Sequence, residues 1–197
     1  MAVFLDTTTD LNFSNVFSNA GLLWFLGTNV NGHSSYKLTG NNSGSSGSIW
    51  VGHAGGTNAT RLVASAGSQL GTGDVTVNSG SGIYLPGGTY ANIFYINGNG
   101  WSEPSGQLGA LRLENGATID GAVVLQSNAR ITNFFSGTGT ISGPISGAFN
   151  LEKTGPLALV VTGANTYTGG TTVNNGALFI GNGHDTGNLP SAFFSYM

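Results

Sequence analysis

The acidic side chains are candidates for catalysis in this chain. Paired Asp or Glu residues supply the general acid and base with which enzymes cleave polysaccharides. Glu114 and Asp120 are close enough in sequence to meet across one turn of a repetitive fold, but Arg112 and Arg130 lie nearby as well. We therefore interpret these carboxylates as part of an ion-paired or solvated rim, and we predict no catalytic residue.

A metal site needs clustered ligands, and this sequence does not provide a cluster. The chain has no cysteine, which excludes disulfides, thiolate metal sites and a cysteine nucleophile. Its three histidines, His33, His53 and His184, have no second ligand at helical or hairpin spacing. The run from Gly181 to Asp185 is similar to half of a calcium-binding nonapeptide, but it occurs once and fits a corner turn better. We predict no metal site and no cofactor.

Aromatic side chains are the best candidates for binding a ligand. Sugar rings stack on exposed aromatic faces, and exposed aromatic residues otherwise need an explanation. The alternative, which we favour, is that the same rings fill the interior or pack beneath the segment from Tyr84 to Trp101. The candidate ligand-binding residues are Trp50, Tyr84, Tyr95 and Trp101.

Composition limits the partners of the chain. Only 7% of its residues are charged, with five Lys and Arg against eight Asp and Glu, so no basic surface is available to hold nucleic acid. The longest apolar runs are far shorter than the roughly 20 residues of a membrane-spanning helix. The N-terminus contains an early acid, Asp6, and no basic region, unlike a secretory signal. We therefore expect any export signal to lie on a longer parent chain or to have been removed already, and we favour the longer parent chain.

Short alternating segments bounded by Gly, Asn or Ser recur along the chain and predict short strands. Ile131, Ile141, Leu151 and Val161 follow one another at a fixed spacing of about ten residues, which suits stacked coils better than a sandwich. The 34 glycines disfavour helices and suit tight corners. The pattern predicts an all-β fold: a single parallel β-solenoid of about ten coils, each of about 20 residues.

The regular repeat begins only after the first third of the chain. Residues 1–70 are predicted to form irregular, β-rich N-terminal coils, and residues 71–197 a regular β-solenoid. The Gly/Ser-rich run at 41–48 has the composition of a flexible linker. Because strand-like segments flank this run on both sides, we favour an elaborated loop between coils.

One segment near the C-terminus is similar to a known family. From Leu151 the chain reads LEKTG, and after Gly163 it reads ANTYTGGTTVNNGAL. These runs and the distance between them resemble the passenger-associated transport repeat, also called the autotransporter-associated β-strand repeat, over residues 151–180. The residues that carry the resemblance are Leu151, Lys153, Gly155, Leu159, Gly163, Asn165, Tyr167, Gly169, Gly170, Thr171, Val173, Gly176 and Leu178.

The resemblance implies a right-handed, single-stranded parallel β-helix in the passenger region of a bacterial autotransporter. Such a region is extracellular or displayed on the cell surface, and it meets the outer membrane only through a barrel on the parent chain. In this family the repeat is associated with efficient passage rather than with catalysis. A coil that folds as it emerges adds stacking free energy to the growing end and opposes backsliding.

Three functions are compatible with this sequence. The first is a non-enzymatic, secretion-competent stalk segment of a surface protein that is adhesive in its parent. The second is a self-assembling extracellular fibre subunit, in which other copies of the chain stack end to end. The third is a polysaccharide-binding or polysaccharide-active β-helix with surface glycans as partners.

Overall fold

The computed structural model describes residues 2–5, 11–14, 17–18, 20–27, 34–54, 59–181 and 194–196. Within these ranges the chain is all-β apart from one helical turn, α1 (Gly67–Leu70). None of the helical structure in these ranges is long and apolar enough to span a membrane. The strands are β1 (Ala2–Leu5), β2 (Leu11–Phe13), β3 (Leu23–Gly27), β4 (Ser34–Leu38), β5 (Ile49–Val51), β6 (Thr60–Ala64), β7 (Val75–Val77), β8 (Gly82–Leu85), β9 (Thr89–Tyr90), β10 (Phe94–Gly98), β11 (Ser102–Glu103), β12 (Gly106–Gln107), β13 (Leu111–Leu113), β14 (Thr118–Ile119), β15 (Val123–Thr132), β16 (Gly139–Ile141), β17 (Ile145–Ser146), β18 (Leu151–Thr154), β19 (Ala158–Val161), β20 (Thr171–Val173), β21 (Ala177–Ile180) and β22 (Phe194–Tyr196).

Parallel strands stack into three faces around one interior. Face A contains β1, β3, β5, β7, β10, the first part of β15, and β17. Face B contains β2, β4, β6, β8, β13, the second part of β15, β18, β20 and β22. Face C contains β9, β14, β16, β19 and β21. The predicted parallel β-solenoid is confirmed, and the long strand β15 joins faces A and B.

The solenoid has about seven coils, so the expectation of ten is wrong. Coils differ in length: Thr76 pairs with Tyr95, 19 residues later, whereas Tyr95 pairs with Val124, 29 residues later. The longer coil contains a hairpin of β11 and β12, which form the only antiparallel pair in the described part of the chain. Seven coils spaced by about 4.8 Å give a rod of roughly 34 Å.

The ten-residue spacing seen in the sequence corresponds to half a coil. Ile131 and Leu151 lie on face B, Ile141 and Val161 lie on face C, and all four are fully buried. Periodicity does not reveal β17 on face A, because that strand has only two residues. The boundary at residue 70 between irregular and regular coils stays a prediction.

Inward-facing side chains form columns along the solenoid axis. On face B, Tyr36, Leu62, Ile83, Leu111 and Ile131 occupy successive coils in register. Each of them is at most 1% exposed, and burying one of the four aliphatic side chains contributes about 1.5–3 kcal/mol. Because each strand also pairs with the coils on either side of it, the fold satisfies its backbone polar groups with few charged residues.

The Gly/Ser-rich run at 41–48 lies at the corner between β4 and β5. The buried Asn42 side chain accepts a hydrogen bond from Phe17 N at 2.6 Å and donates one to Gln69 O at 2.7 Å. The next coil lies very close, since a Cβ at Gly73 would be 2.3 Å from Gly47 O. Glycine is therefore required at residue 73 by its contact with this corner of the neighbouring coil.

Candidate functional site

The segment 151–178 forms one full coil and begins the next. It runs from β18 on face B to β19 on face C, crosses face A without a regular strand, and continues as β20 and β21. Its strands pair in parallel with the coil that precedes them: β18 with β15, β19 with β16, β20 with β18, and β21 with β19. The motif residues of this segment therefore lie where successive coils meet.

Lys153 occupies an inward position of β18, where the neighbouring coils carry aliphatic side chains. Its side chain is fully buried. Its Nζ donates hydrogen bonds to Thr154 O and Gly155 O at 2.8 Å and to Asn175 O at 2.9 Å. Because Asn175 belongs to the next coil, one ammonium group joins the corners of two successive coils.

The corners around this ammonium group require glycine. Gly155 and Gly176 have φ values of +84° and +73°, a region that other L-residues rarely adopt. A Cβ at Gly155 would lie 2.2 Å from Asn133 O, and one at Gly176 would lie 2.4 Å from Gly155 O. The stacked glycines allow the close approach that brings carbonyl oxygens from two coils within reach of Lys153.

Burial lowers the pKa of Lys153 from 10.5 to about 8. Between these two values the unfolded chain binds more protons than the folded protein, so the free energy of unfolding rises as the pH increases. Burial raises the pKa values of Tyr90 and Tyr167 above the ordinary 10.0, which lowers stability at higher pH because the unfolded tyrosines ionise first. Between about pH 8 and pH 10, the effect of Lys153 on the free energy of unfolding can therefore be distinguished from that of the tyrosines.

We expect the urea midpoint of the wild-type chain to rise between pH 8 and pH 10, and this rise to disappear in Lys153→Met. The physical reason is that deprotonation removes the desolvation cost of the buried ammonium group. Urea unfolding at several pH values, followed by tryptophan fluorescence, measures the effect. An equal rise in both proteins would assign the pH dependence to another group.

Two polar residues of the segment replace a strand on face A. Asn165 is buried, and its Oδ1 accepts a hydrogen bond from Ile145 N of the preceding coil at 2.9 Å. Tyr167 is fully buried, and its hydroxyl group is hydrogen bonded to that of Thr171, which is also buried. These side chains hold the crossing from face C to face B where regular strand pairing is missing.

The other motif residues of the segment also contribute to contacts between successive coils or to the interior. A Cβ at Gly163 would lie 2.2 Å from Gly143 O, and one at Gly169 would lie 2.2 Å from Phe149 O. Gly170 N donates a hydrogen bond to the Asn150 side chain of the preceding coil at 2.7 Å. The aliphatic positions are Leu151 and Leu159, which are fully buried, and Val173 and Leu178, which are half-buried on the last two strands of the segment.

The segment thus uses its lysine, asparagine, tyrosine and glycines to join one coil to another. Residues 151–178 match the family model for the passenger-associated-transport-repeat. The segment is therefore similar to this repeat, and residues 151–178 are called the transport repeat below. No curated protein and no solved structure gives a significant match to the chain. The transport repeat and the β-solenoid fit the stalk of an autotransporter passenger, and the repeat family implies a secreted or surface-exposed region.

Outside the transport repeat, Glu114 is a buried, ion-paired residue. Its Oε1 accepts a hydrogen bond from Arg112 Nε at 2.7 Å, and its Oε2 accepts bonds from Phe135 N and Ser136 N at 2.8 and 2.9 Å. Asp120 is exposed and follows β14 on face C, whereas Glu114 follows β13 on face B. The two carboxylates therefore belong to different faces, and Glu114 is enclosed rather than placed at a rim.

Two candidate aromatic residues, Tyr84 and Trp101, pack under arginine side chains. The Arg112 guanidinium lies 4.2 Å from the centroid of the Tyr84 ring, and that of Arg61 lies 4.9 Å from the Trp101 ring. Glu103 bridges the two arginines, at 3.6 Å from Arg61 and 3.4 Å from Arg112. Trp101 is only 8% exposed, so this cluster fastens the β11–β12 hairpin to face B and leaves little of the indole for a ligand.

The other two candidates, Trp50 and Tyr95, share an outward column on face A. Trp24, Trp50, Thr76 and Tyr95 follow one another in register, and all four are half-buried. The rings of Trp24 and Trp50 meet edge to face with centroids 5.5 Å apart. Sequence reasoning did not select Trp24, because the apolar run at 22–26 hides the alternation between inward and outward positions.

No group of three His, Cys, Asp or Glu residues that could hold a metal ion occurs among the described residues. His53 is exposed, and its ring stacks on Trp24 with centroids 6.0 Å apart. His33, His184 and Asp185 lie outside the described residues, and so does most of the run that is similar to half of a calcium-binding repeat.

Proposed function

We propose that this chain is a non-enzymatic, extracellular stalk segment of a bacterial autotransporter-type surface protein. The observation that carries the proposal is the use of the transport repeat, whose polar side chains and glycines are engaged between coils. The carboxylates that suggested a polysaccharide-active enzyme, Glu114 and Asp120, are held on different faces. A segment built in this way lengthens a solenoid, which is the physical requirement for a stalk.

The geometry also indicates how the repeat would promote export. The ammonium group of Lys153 gains its third carbonyl partner only when Asn175 of the next coil is in place. Backbone pairing between β18 and β20 forms at the same step. Each coil completed outside the membrane makes return of the extended chain less favourable, and without cysteine no disulfide forms before passage.

A display experiment tests this proposal. The 197-residue chain is fused upstream of an autotransporter barrel, and the fraction on the cell surface is measured by adding a protease to intact cells. We expect Lys153→Met to lower this fraction several-fold, because the coil that contains it is destabilised. Lys37→Met is the matched control, since Lys37 is a half-buried residue of β4.

Normalising surface protein to total fusion protein separates export from degradation. A selective loss of display in Lys153→Met supports the stalk proposal. Equal display of the two lysine variants, at equal total amounts, would contradict it.

Adhesion in the parent protein is an additional part of the proposal, and a fibre subunit that assembles end to end is the alternative to it. The outward column of Trp24, Trp50 and Tyr95 supports glycan contacts on face A, because sugar rings stack on aromatic faces. The exposed Phe179 on β21 supports stacking of further coils or copies. Electron microscopy over a concentration series separates a stalk, seen as rods of roughly 34 Å, from a fibre subunit, seen as filaments that lengthen.

A further inference from the structure

A polar groove of about 390 Å³ follows the corner between faces A and B. At this corner Gly98 pairs with Ala129, Ala129 with Leu151, and Leu151 with Thr171, so the groove crosses four successive coils. Four coils span about 14 Å, and the volume falls within the usual range of ligand sites. The polar residues that line the groove are Asn99, Asn128, Asn150, Glu152, Thr172 and Asn174.

Two of these asparagines form a ladder that fixes the orientation of their amides. Asn128 Oδ1 accepts a hydrogen bond from Asn150 N at 3.0 Å, and Asn150 Oδ1 accepts one from Gly170 N at 2.7 Å. Because a backbone N–H can only donate, each side-chain oxygen must face the next coil. Each side-chain NH₂ group is left without a partner in the described part of the chain. The groove therefore offers hydrogen-bond donors repeated at the spacing of the coils.

The electrostatics of the groove favour a neutral ligand. Glu152 is the only charged residue among the described residues that line it. The Glu152 carboxylate lies 2.9 Å from Arg130 Nη2, and it also accepts a hydrogen bond from the Asn174 side chain. The charge is thus compensated within the protein. A polyanion would meet no unpaired cation here, and a metal ion would meet no free carboxylate pair.

We propose that this groove binds a neutral, extended glycan chain. The NH₂ groups of Asn128 and Asn150 donate to hydroxyl and ring oxygens, and the Thr172 hydroxyl both donates and accepts. Sugar units in an extended chain repeat over a distance comparable to one coil, so the groove accommodates about three units. The inference is independent of the export role, since binding is a property of the folded, purified chain.

NMR titration of the purified 197-residue chain tests this inference. Cellohexaose, chitohexaose and maltohexaose are added in turn, and the side-chain NH₂ signals of Asn128 and Asn150 are followed. We expect saturable shifts of both signals with an extended β-linked hexamer. Asn150→Asp keeps the oxygen that pairs with Gly170 N but loses the donor, and it is expected to weaken binding roughly three- to tenfold.

Asn175→Asp is the matched control for charge. Asn175 Oδ1 also accepts a backbone hydrogen bond, from Gly176 N at 2.8 Å, but the side chain does not line the groove. Unchanged binding in this control supports the groove. Equal weakening in both variants, or no saturable shift with any of the three hexamers, would overturn the inference. Shifts confined to Trp50 and Tyr95 would also overturn it and place sugar binding on the aromatic column.

Discussion

Gly155→Ala is expected to lower the free energy of unfolding by roughly 3–5 kcal/mol. The new methyl group would lie 2.2 Å from Asn133 O and 2.8 Å from its carbonyl carbon, and neither backbone atom can rotate away. Adopting the φ of +84° adds about 1–2 kcal/mol of strain. The coils must therefore separate at this corner, which also moves carbonyl groups away from Lys153. Urea unfolding monitored by circular dichroism measures the change.

Gly116→Ala separates the steric contact between coils from the backbone strain. Gly116 has a similar φ of +79°, but a Cβ there would meet no atom within 4 Å. We expect this variant to lose only about 1–2 kcal/mol, the strain term alone. Similar losses for the two variants would contradict the conclusion that close contact between coils selects glycine at residue 155.

Lys153→Met is expected to lower the free energy of unfolding by about 3 kcal/mol near neutral pH, because three unpaired buried carbonyl groups cost more than the desolvation of the ammonium group that the substitution removes. Methionine keeps most of the buried volume, but the carbonyl groups of Thr154, Gly155 and Asn175 lose the donor that they share. For a domain of this size the loss corresponds to a fall in melting temperature of about 6–12 °C. Thermal unfolding followed by circular dichroism measures it.

The control for this substitution is again Lys37→Met. Lys37 is a half-buried residue of β4, so we expect a change within about 0.5 kcal/mol. If Lys153→Met were as stable as the wild type, the ammonium group would not be what joins the corners of the two coils.

Much of the regular part of the fold could be predicted from the sequence. The alternation at 139–141, 171–173 and 177–180 predicts strands with the bounds that are observed. The number of coils could not be predicted, because the β11–β12 hairpin adds residues to one coil without changing the local pattern. The hairpin is held by Glu103, Arg61 and Arg112, which are brought together only by the fold.

The roles of individual residues were harder to predict from the sequence. The resemblance marked Lys153 as part of a motif, but a lysine in an alternating strand is normally assigned to the outward face. Its inward position becomes favourable only because glycine corners place three carbonyl oxygens near Nζ. Likewise, Trp24 and Trp50 are 26 residues apart in sequence, and only the register of β3 with β5 places them side by side.

Native-state hydrogen exchange in the wild-type chain and in Lys153→Met tests the central claim, that the transport repeat locks successive coils together. The amide of Leu151 donates to Gly170 O, and that of Asn174 donates to Lys153 O, so both hydrogen bonds cross this junction. The hydrogen bond from Val75 N to Ile93 O also joins two neighbouring coils, but it lies several coils away from the transport repeat. We predict much faster exchange at Leu151 and Asn174 in the variant and unchanged exchange at Val75. Unchanged protection at Asn174, or an equal loss at all three amides, would contradict the claim.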